Sequence, residues 1–195
     1  MKILGIDPGI HGGLAIVIIN DGAAPQLVDA CDVPTVGTRA AERVEVLAIR
    51  FWIQTHQPDH AVIEQCGSMP KQGVASTFKF GKAAGALEAT VALCGIPMTI
   101  VAPAVWKKAF GLRGKEKEAS RQYALQLFPA AHGLLATKKD HQRAEAALIA
   151  LSFSKIPAMT ESIKCLPPEH EEESINEVTR IVEDRTNRIL GQSDA

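Results

Sequence analysis

Residues 2–7 and 13–20 are two short apolar, β-branched runs joined by the turn that opens with Asp7-Pro8-Gly9 and closes with Gly12-Gly13. No other feature constrains the fold as much, because apolar runs so close together pair as an antiparallel hairpin buried in a core. A third strand is expected near residues 26–32. Beyond it the period changes. Residues 39–56 place Val44, Leu47, Ala48, Phe51 and Trp52 at helical spacing and stop before Pro58. Ala61-Val62-Ile63-Glu64 reads as a strand, residues 74–94 as an Ala-rich helix ended by Gly95, and Met98 to Val101 as another strand. Helices follow at about 103–110, 116–128 and 140–154. Three antiparallel strands, then strands alternating with helices, predict an α/β fold with a mixed sheet flanked by helices.

A chain of 195 residues is long enough for one domain with a sizeable core. That domain is expected over residues 1–156. Residues 157–195 form an acidic extension, with Leu166-Pro167-Pro168 ahead of Glu171-Glu172-Glu173. Ile175, Val178, Ile181 and Val182 then recur at helical spacing, so the extension is expected to be partly helical. No apolar stretch is long enough to span a bilayer and Lys2 leads straight into a strand, so a cytoplasmic protein without a membrane partner is expected. The cysteines, Cys31, Cys66, Cys94 and Cys165, are scattered without a CxxC pair and read as buried thiols.

The net charge of −1 conceals strong segregation. Residues 1–68 carry 4 Lys and Arg against 8 Asp and Glu, residues 69–143 carry 12 against 4, and residues 144–195 carry 5 against 10. A basic middle of this density favours a polyanion partner over a set of solvated helix faces. Lys79, Lys82, Lys107, Lys108, Arg113, Lys115, Lys117, Lys138 and Lys139 are the candidate contacts to a nucleic-acid backbone.

The chemistry rests on carboxylates that can converge. Asp7 ends the first strand as Glu64 ends the strand at 61–64, and if these strands are parallel neighbours both carboxylates emerge at one sheet edge. The start of the last helix, Lys138-Lys139-Asp140-His141-Gln142-Arg143-Ala144-Glu145, adds three more candidates. His141 and Glu145 stand four apart and share a face. Each has a plainer reading: Asp7 as a turn former, Glu64 as a hydrogen-bonded strand end, Asp140 as a helix cap, and His141 as a surface residue. Glu145, set among alanines, is the hardest to explain structurally, since a buried carboxylate without a partner is costly. Such groups crowd together without repulsion only if cations sit between them. Hard divalent ions, magnesium or manganese, take oxygen ligands and bridge to phosphate. Two ions about 4 Å apart would activate water and stabilise the leaving oxygen of a phosphodiester.

Taken together, Ile-Leu-Gly-Ile-Asp-Pro-Gly at 3–9, Val-Ile-Glu-Gln at 62–65, the helix from Phe78 to Gly85 and the acidic helix continuing Ala146-Ala147-Leu148-Ile149-Ala150 resemble the RuvC Holliday-junction resolvases over roughly residues 1–155. The resemblance implies an RNase H-like fold, a homodimer, and magnesium-dependent paired nicking of four-way DNA junctions. It implies that Asp7 and Glu64 are metal ligands, with Glu145 in place of the family's usual second aspartate. Either Asp140 or His141 completes the metal site. Lys107 and Lys117 are implied as DNA contacts. The sequence departs from the family at two points. Gln142 stands three residues before Glu145, where an Asp or His is usual, which brings the chain nearer to divergent phage-type or organellar-type members. Gly67, Ser68 and Met69 occupy the place of an aromatic that wedges into the junction, leaving Met69 or Phe78 for that role. A Gly-Ile-Asp-x-Gly strand and turn also opens actin-like ATPases and sugar kinases, but those need two such domains and this chain is too short. An RNA:DNA hybrid hydrolase and a non-catalytic nucleic-acid-binding module are the competing readings. The Ala-rich helix at 74–94, with Ala83, Ala84, Gly85, Ala86 and Ala89, is the expected dimer surface.

Overall fold

The structure, a computed structural model, describes residues 1–38, 41–67 and 73–157, together with 159 and 180. Met69 and the apolar positions Ile175, Val178, Ile181 and Val182 therefore lie outside the described residues, as does Cys165. The chain divides into a compact unit, Met1–Thr160, and a second unit, Glu161–Ala195.

The expected hairpin forms. Strand β1 (Lys2–Asp7) pairs antiparallel with β2 (Gly13–Ile18), which pairs antiparallel with β3 (Gln26–Asp32). A two-stranded ribbon follows, β4 (Thr35–Val36) with β5 (Arg43–Val44). Helix α1 (Val46–His56) leads to β6 (His60–Glu64), helix α2 (Val74–Leu93) and β7 (Met98–Val101). Helices α3 (Pro103–Ala109), α4 (Lys117–Leu127) and α5 (His141–Lys155) complete the unit, with short 3-10 turns at Pro129–Leu134 and Lys138–Asp140. The main sheet has the order β3-β2-β1-β6-β7, and β1, β6 and β7 run parallel. This is the mixed sheet that the order of elements predicts.

Helices α1 and α2 cover one face of the sheet. Ile49 and Ile53 of α1 and Ala83, Leu87 and Val91 of α2 pack on Leu4, Ile6, Leu14, Ile16, Ala61 and Ile63. Each fully buried Leu or Ile among them contributes roughly 1.5–3 kcal/mol. Alternation along the strands turns the neighbours of these residues to the other face, where α5 lies on β1 and β2. Helix α5 is buried continuously from Ala144 to Phe153, as expected of a helix enclosed on all sides, with α3 and α4 packed against it.

Two glycines permit this layer. A Cβ on Gly5 would collide with the Ala146 carbonyl and with Ala150, and one on Gly13 would meet the Gln142 carbonyl at 2.5 Å. The backbone of α5 thus rests directly on the first two strands.

Helix α1 corrects the expected helix at 39–56. It begins at Val46, because Arg43 and Val44 pair with the Thr35–Val36 strand and Glu45 accepts from the Leu47 N–H as the cap. Its buried stripe is Ile49 and Ile53. Leu47 and Phe51, expected on the core face, are 69% and 73% exposed. Both stripes are apolar, and it is Ile49 and Ile53 that join the core on the sheet. The described cysteines, Cys31, Cys66 and Cys94, are half-buried rather than buried.

Gly5→Ala should destabilise the protein by about 3 kcal/mol or more, because the obstructing atoms are helix backbone. A thermal midpoint equal to wild type would show that α5 does not bear on β1 at this point.

Candidate active site

The parallel register of β1 and β6 sets Ile6 opposite Ile63, so Asp7 and Glu64 leave the sheet side by side. Alternation puts Asp7 on the same face as Gly5, and Glu64 on the same face as His60, whose ring packs against Phe153 of α5 at 4.9 Å. Both carboxylates therefore project toward α5, whose first turns deliver Glu145. Asp7, Glu64 and Glu145 line one cleft of about 510 Å³ with Glu42, His11, Lys79, Lys107 and Gln142.

The loop after β1 forms one wall. Gly9 has a φ of 135° and accepts at its carbonyl from the Gly12 N–H at 3.1 Å. The Phe80 ring of α2 stands close enough to Gly9 that an added Cβ would lie 3.4 Å from it.

Glu145 is only 6% exposed. Its Oε1 accepts from the Ser120 hydroxyl at 3.1 Å and stands 3.4 Å from the Lys107 ammonium. Glu64 Oε1 accepts from the Trp106 indole N–H at 2.8 Å. The field of the carboxylates reaches Cys66, whose thiol is pushed up to about 12 by burial first, then by Glu88, Glu64 and Asp7. Burial and these charges hold Cys66 as a neutral thiol.

Asp140 and His141 are not brought to this cleft. Asp140 is buried, and its Oδ2 accepts from the backbone N–H of Thr137 at 2.7 Å and from the Thr137 hydroxyl at 2.9 Å, the reach-back half of a capping box. Its Oδ1 faces Arg143 at 3.4 Å. Burial pushes its pKa upward, but the Thr137 hydrogen bonds and the charges of Arg143 and Arg121 outweigh this and hold it below the usual carboxylate value. His141 Nδ1 lies 3.2 Å from the Lys138 carbonyl, and the ring lines a second cleft with Asp32, Thr35 and Lys139. Gln142 lines both clefts, so the helix turns the position three before Glu145, rather than those four and five before it, toward Asp7 and Glu64.

The basic residues divide in the same manner. Lys79 and Lys107 line the carboxylate cleft, and Lys82 lies farther along α2 beside Phe78. Lys108, Arg113, Lys115, Lys138 and Lys139 are exposed, whereas the side chain of Lys117 lies outside the described residues. Arg121 and Arg143 are structural. Arg121 is buried, holding Glu118 and the Leu135 and Ala136 carbonyls, and Arg143 makes a two-pronged bridge to Asp32 at 2.7 and 3.0 Å. Trp106 and Ser120 were not visible as site residues in the sequence, since nothing local marks either for a carboxylate distant in the chain.

Among the described residues, no three His, Cys, Asp or Glu side chains converge tightly enough as placed to ligate one ion. The donor set nevertheless fits a hard divalent cation. Four carboxylates line one cleft, Asp7, Glu64 and Glu145 from β1, β6 and α5 and Glu42 from the segment before β5, and carboxylate oxygens are the donors such an ion takes.

A family model described as "Crossover junction endodeoxyribonuclease RuvC" matches residues 3–153. A protein of that name from Paramagnetospirillum magneticum is 29% identical over 72% of this chain and 84% of its own length. Another from Nitratidesulfovibrio vulgaris is 34% identical over 60% of this chain and 72% of its own length. Among solved structures, T. thermophilus RuvC in complex with Holliday junction substrate superposes with a TM-score of 0.60 at 22% identity, covering 82% of this chain and 96% of that one. That likeness shows the RNase H-like fold.

Asp140→Asn should lower stability by about 1–2 kcal/mol at neutral pH. A depressed native pKa contributes stability that is present above the unfolded-state value of about 3.9 and lost as pH falls through the lower native value. The difference in thermal midpoint between wild type and Asp140→Asn should therefore narrow below about pH 4, while nuclease activity at neutral pH survives. Abolished cleavage in a variant that remains folded would instead place Asp140 in the reaction.

Proposed function

This chain belongs to the RuvC family of crossover junction endodeoxyribonucleases, and we propose that Asp7, Glu64 and Glu145 are the carboxylates with which it hydrolyses the phosphodiesters of four-way DNA junctions. The family makes it a structure-selective DNA endonuclease that depends on a divalent metal, and favours that reading over an RNA:DNA hybrid hydrolase or a non-catalytic module. The single observation that carries the assignment to these residues is their meeting, from β1, β6 and α5, in one cleft.

Asp7, Glu64 and Glu145 would hold the ions, with magnesium as the natural choice, manganese as a substitute, and two ions per site. Metal bound there supplies Lewis-acid activation of water and neutralisation of charge on the phosphodiester. The protein's own groups do the rest. Gln142, an amide where the family usually has an Asp or His, contributes a neutral acceptor and donor at the cleft mouth. Lys79 and Lys107 set positive charge where a DNA backbone would enter, and Lys82, Lys108, Arg113, Lys115, Lys117, Lys138 and Lys139 extend that charge beyond it. The proposal leaves Asp140 and His141 outside the metal-holding set, because Asp140 accepts from Thr137 and His141 lies against the Lys138 carbonyl.

Two matched cuts require two sites, which a two-fold homodimer supplies through one interface. Helix α2 supports such a surface with only part of the expected set, Gly85 and Ala89 being exposed. Ala83 packs on the sheet and Ala84 is buried, while an added Cβ at Gly81 or Gly85 would meet nothing within 4 Å, and Val74 and Phe78 are 88% and 71% exposed. Phe78 is also the remaining described candidate for the junction wedge. The nuclease domain is taken as residues 1–156. No helix among the described residues is long and apolar enough to cross a membrane; the cytoplasmic site of action belongs to the proposal through the DNA substrate.

Cleavage of a synthetic mobile four-way junction, compared with duplex, flap and RNA:DNA hybrid, tests the proposal. Wild type should give paired symmetric nicks with added magnesium. Asp7→Asn and Glu145→Gln should each lose more than about 100-fold in rate, beyond what is typical for groups that merely orient a ligand. Persistent cutting by either variant would remove that residue from the site, and equal activity on hybrid would sink the junction assignment. Junction binding by wild type should weaken linearly in the logarithm of salt concentration, with a slope reduced by about 1 for each phosphate-contacting lysine removed.

A further inference from the structure

Helix α3 is short, yet it touches two of the three carboxylates with consecutive residues. The Trp106 indole N–H donates to Glu64 Oε1 at 2.8 Å, and the Lys107 ammonium stands 3.4 Å from Glu145 Oε1 and 5.0 Å from the Trp106 ring. We propose that Trp106 is a positioning residue of the nuclease site, its indole N–H fixing the orientation of the Glu64 carboxylate for divalent-metal binding. The proposal rests on the reading of Asp7, Glu64 and Glu145 as a metal site.

The chemistry of the indole suits this task. Trp106 is fully buried, so its N–H is beyond the reach of water and must find an acceptor within the protein. The acceptor it meets is a carboxylate, which gives a charge-assisted hydrogen bond of about twice the ordinary strength. The ring turns on two torsions and is packed on all sides, so the donor is placed by the core and not by the cleft. An indole is also donor-only and does not titrate. It can hold a carboxylate oxygen without offering a lone pair that competes for the ion, and its hold does not change with pH. A histidine or lysine in that place would fail on one of these counts.

Lys107 behaves differently. Its charge opposes any cation at Glu145, so its contact competes with metal, whereas that of Trp106 is compatible with it. The β7–α3 connection thereby links the spacing of the β6 and α5 carboxylates to one short helix. Outer groups that orient a metal ligand typically account for 10–100-fold in metal affinity, and Trp106→Phe removes the N–H while keeping most of the ring.

The test is direct binding of Mn²⁺ to the full-length protein without DNA, followed by the electron paramagnetic resonance signal of free Mn²⁺, alongside thermal denaturation. Wild type should bind, and Trp106→Phe should bind about 10- to 100-fold more weakly. If Trp106→Phe binds Mn²⁺ as tightly as wild type, the indole only fills the core and the proposal is overturned while the metal site stands. If wild type itself fails to bind, the metal-site reading falls and takes this proposal with it. A second measurement leaves Trp106 in place and so does not depend on the variant folding. The chain has two tryptophans, and Trp52 donates to Asp29 away from the cleft. In Trp52→Phe, Mg²⁺ should therefore change the emission of Trp106 with the same half-saturation as Mg²⁺ shows in displacing Mn²⁺. Unchanged emission in a protein that has bound Mg²⁺ would show that the indole does not sense the Glu64 carboxylate, and would refute the assignment.

Discussion

The direct contact of helix α5 with strands β1 and β2 is the constraint on which the rest of the unit depends. It requires two positions without side chains, Gly5 beneath Ala146 and Ala150 and Gly13 beside Gln142. With any larger residue at Gly5, the helix would stand off from the sheet and Glu145 would withdraw from the strand ends that carry Asp7 and Glu64. The same glycines thus serve packing and chemistry, because the helix that closes one face of the core also delivers the third carboxylate. The continuous burial of α5 from Ala144 to Phe153 holds that placement rigid.

Burying a carboxylate such as Glu145 carries a large desolvation cost, which the surroundings offset with partners that do not close the cleft. Ser120 supplies a hydroxyl and Lys107 a charge. Glu64, on the opposite side, has the Trp106 indole. Partners for both come from the segment between β7 and α5, the stretch in which the positive charge is concentrated. The division of labour among those cations is steric: Arg121 and Arg143 are drawn into bridges with Glu118 and Asp32, and the exposed lysines remain available to a polyanion.

Much of the architecture is legible in the chain because it depends on local signals. Strand-ending carboxylates at Asp7 and Glu64, the Gly-rich turn after β1 and the apolar runs of β6 and β7 all announce themselves by type and spacing. Helix α1 shows where such reading fails. Leu47 and Phe51 recur at helical spacing as convincingly as Ile49 and Ile53, and it is packing against the sheet that separates them, Ile49 and Ile53 joining the core while Leu47 and Phe51 stay exposed. Asp140 shows another failure. As an acid shortly ahead of Glu145 it reads as a ligand by proximity, whereas the 3-10 turn at 138–140 directs its Oδ2 to Thr137 and its Oδ1 to Arg143.

What the amino-acid sequence determined by itself is the class of the molecule, and it singled out the three acids proposed for the site, because strands, turns and acidic residue types are written locally. The resemblance of motifs over most of the chain supplied the family in the same way. What only the tertiary structure decided is which groups share a cleft. Rotation about the axis of α5 presents Gln142 and Glu145 and turns Asp140 and His141 aside. The β7–α3 connection brings Trp106 onto a carboxylate 42 positions away in the chain. Such contacts depend on helix phase and close approach, and spacing along the sequence specifies neither.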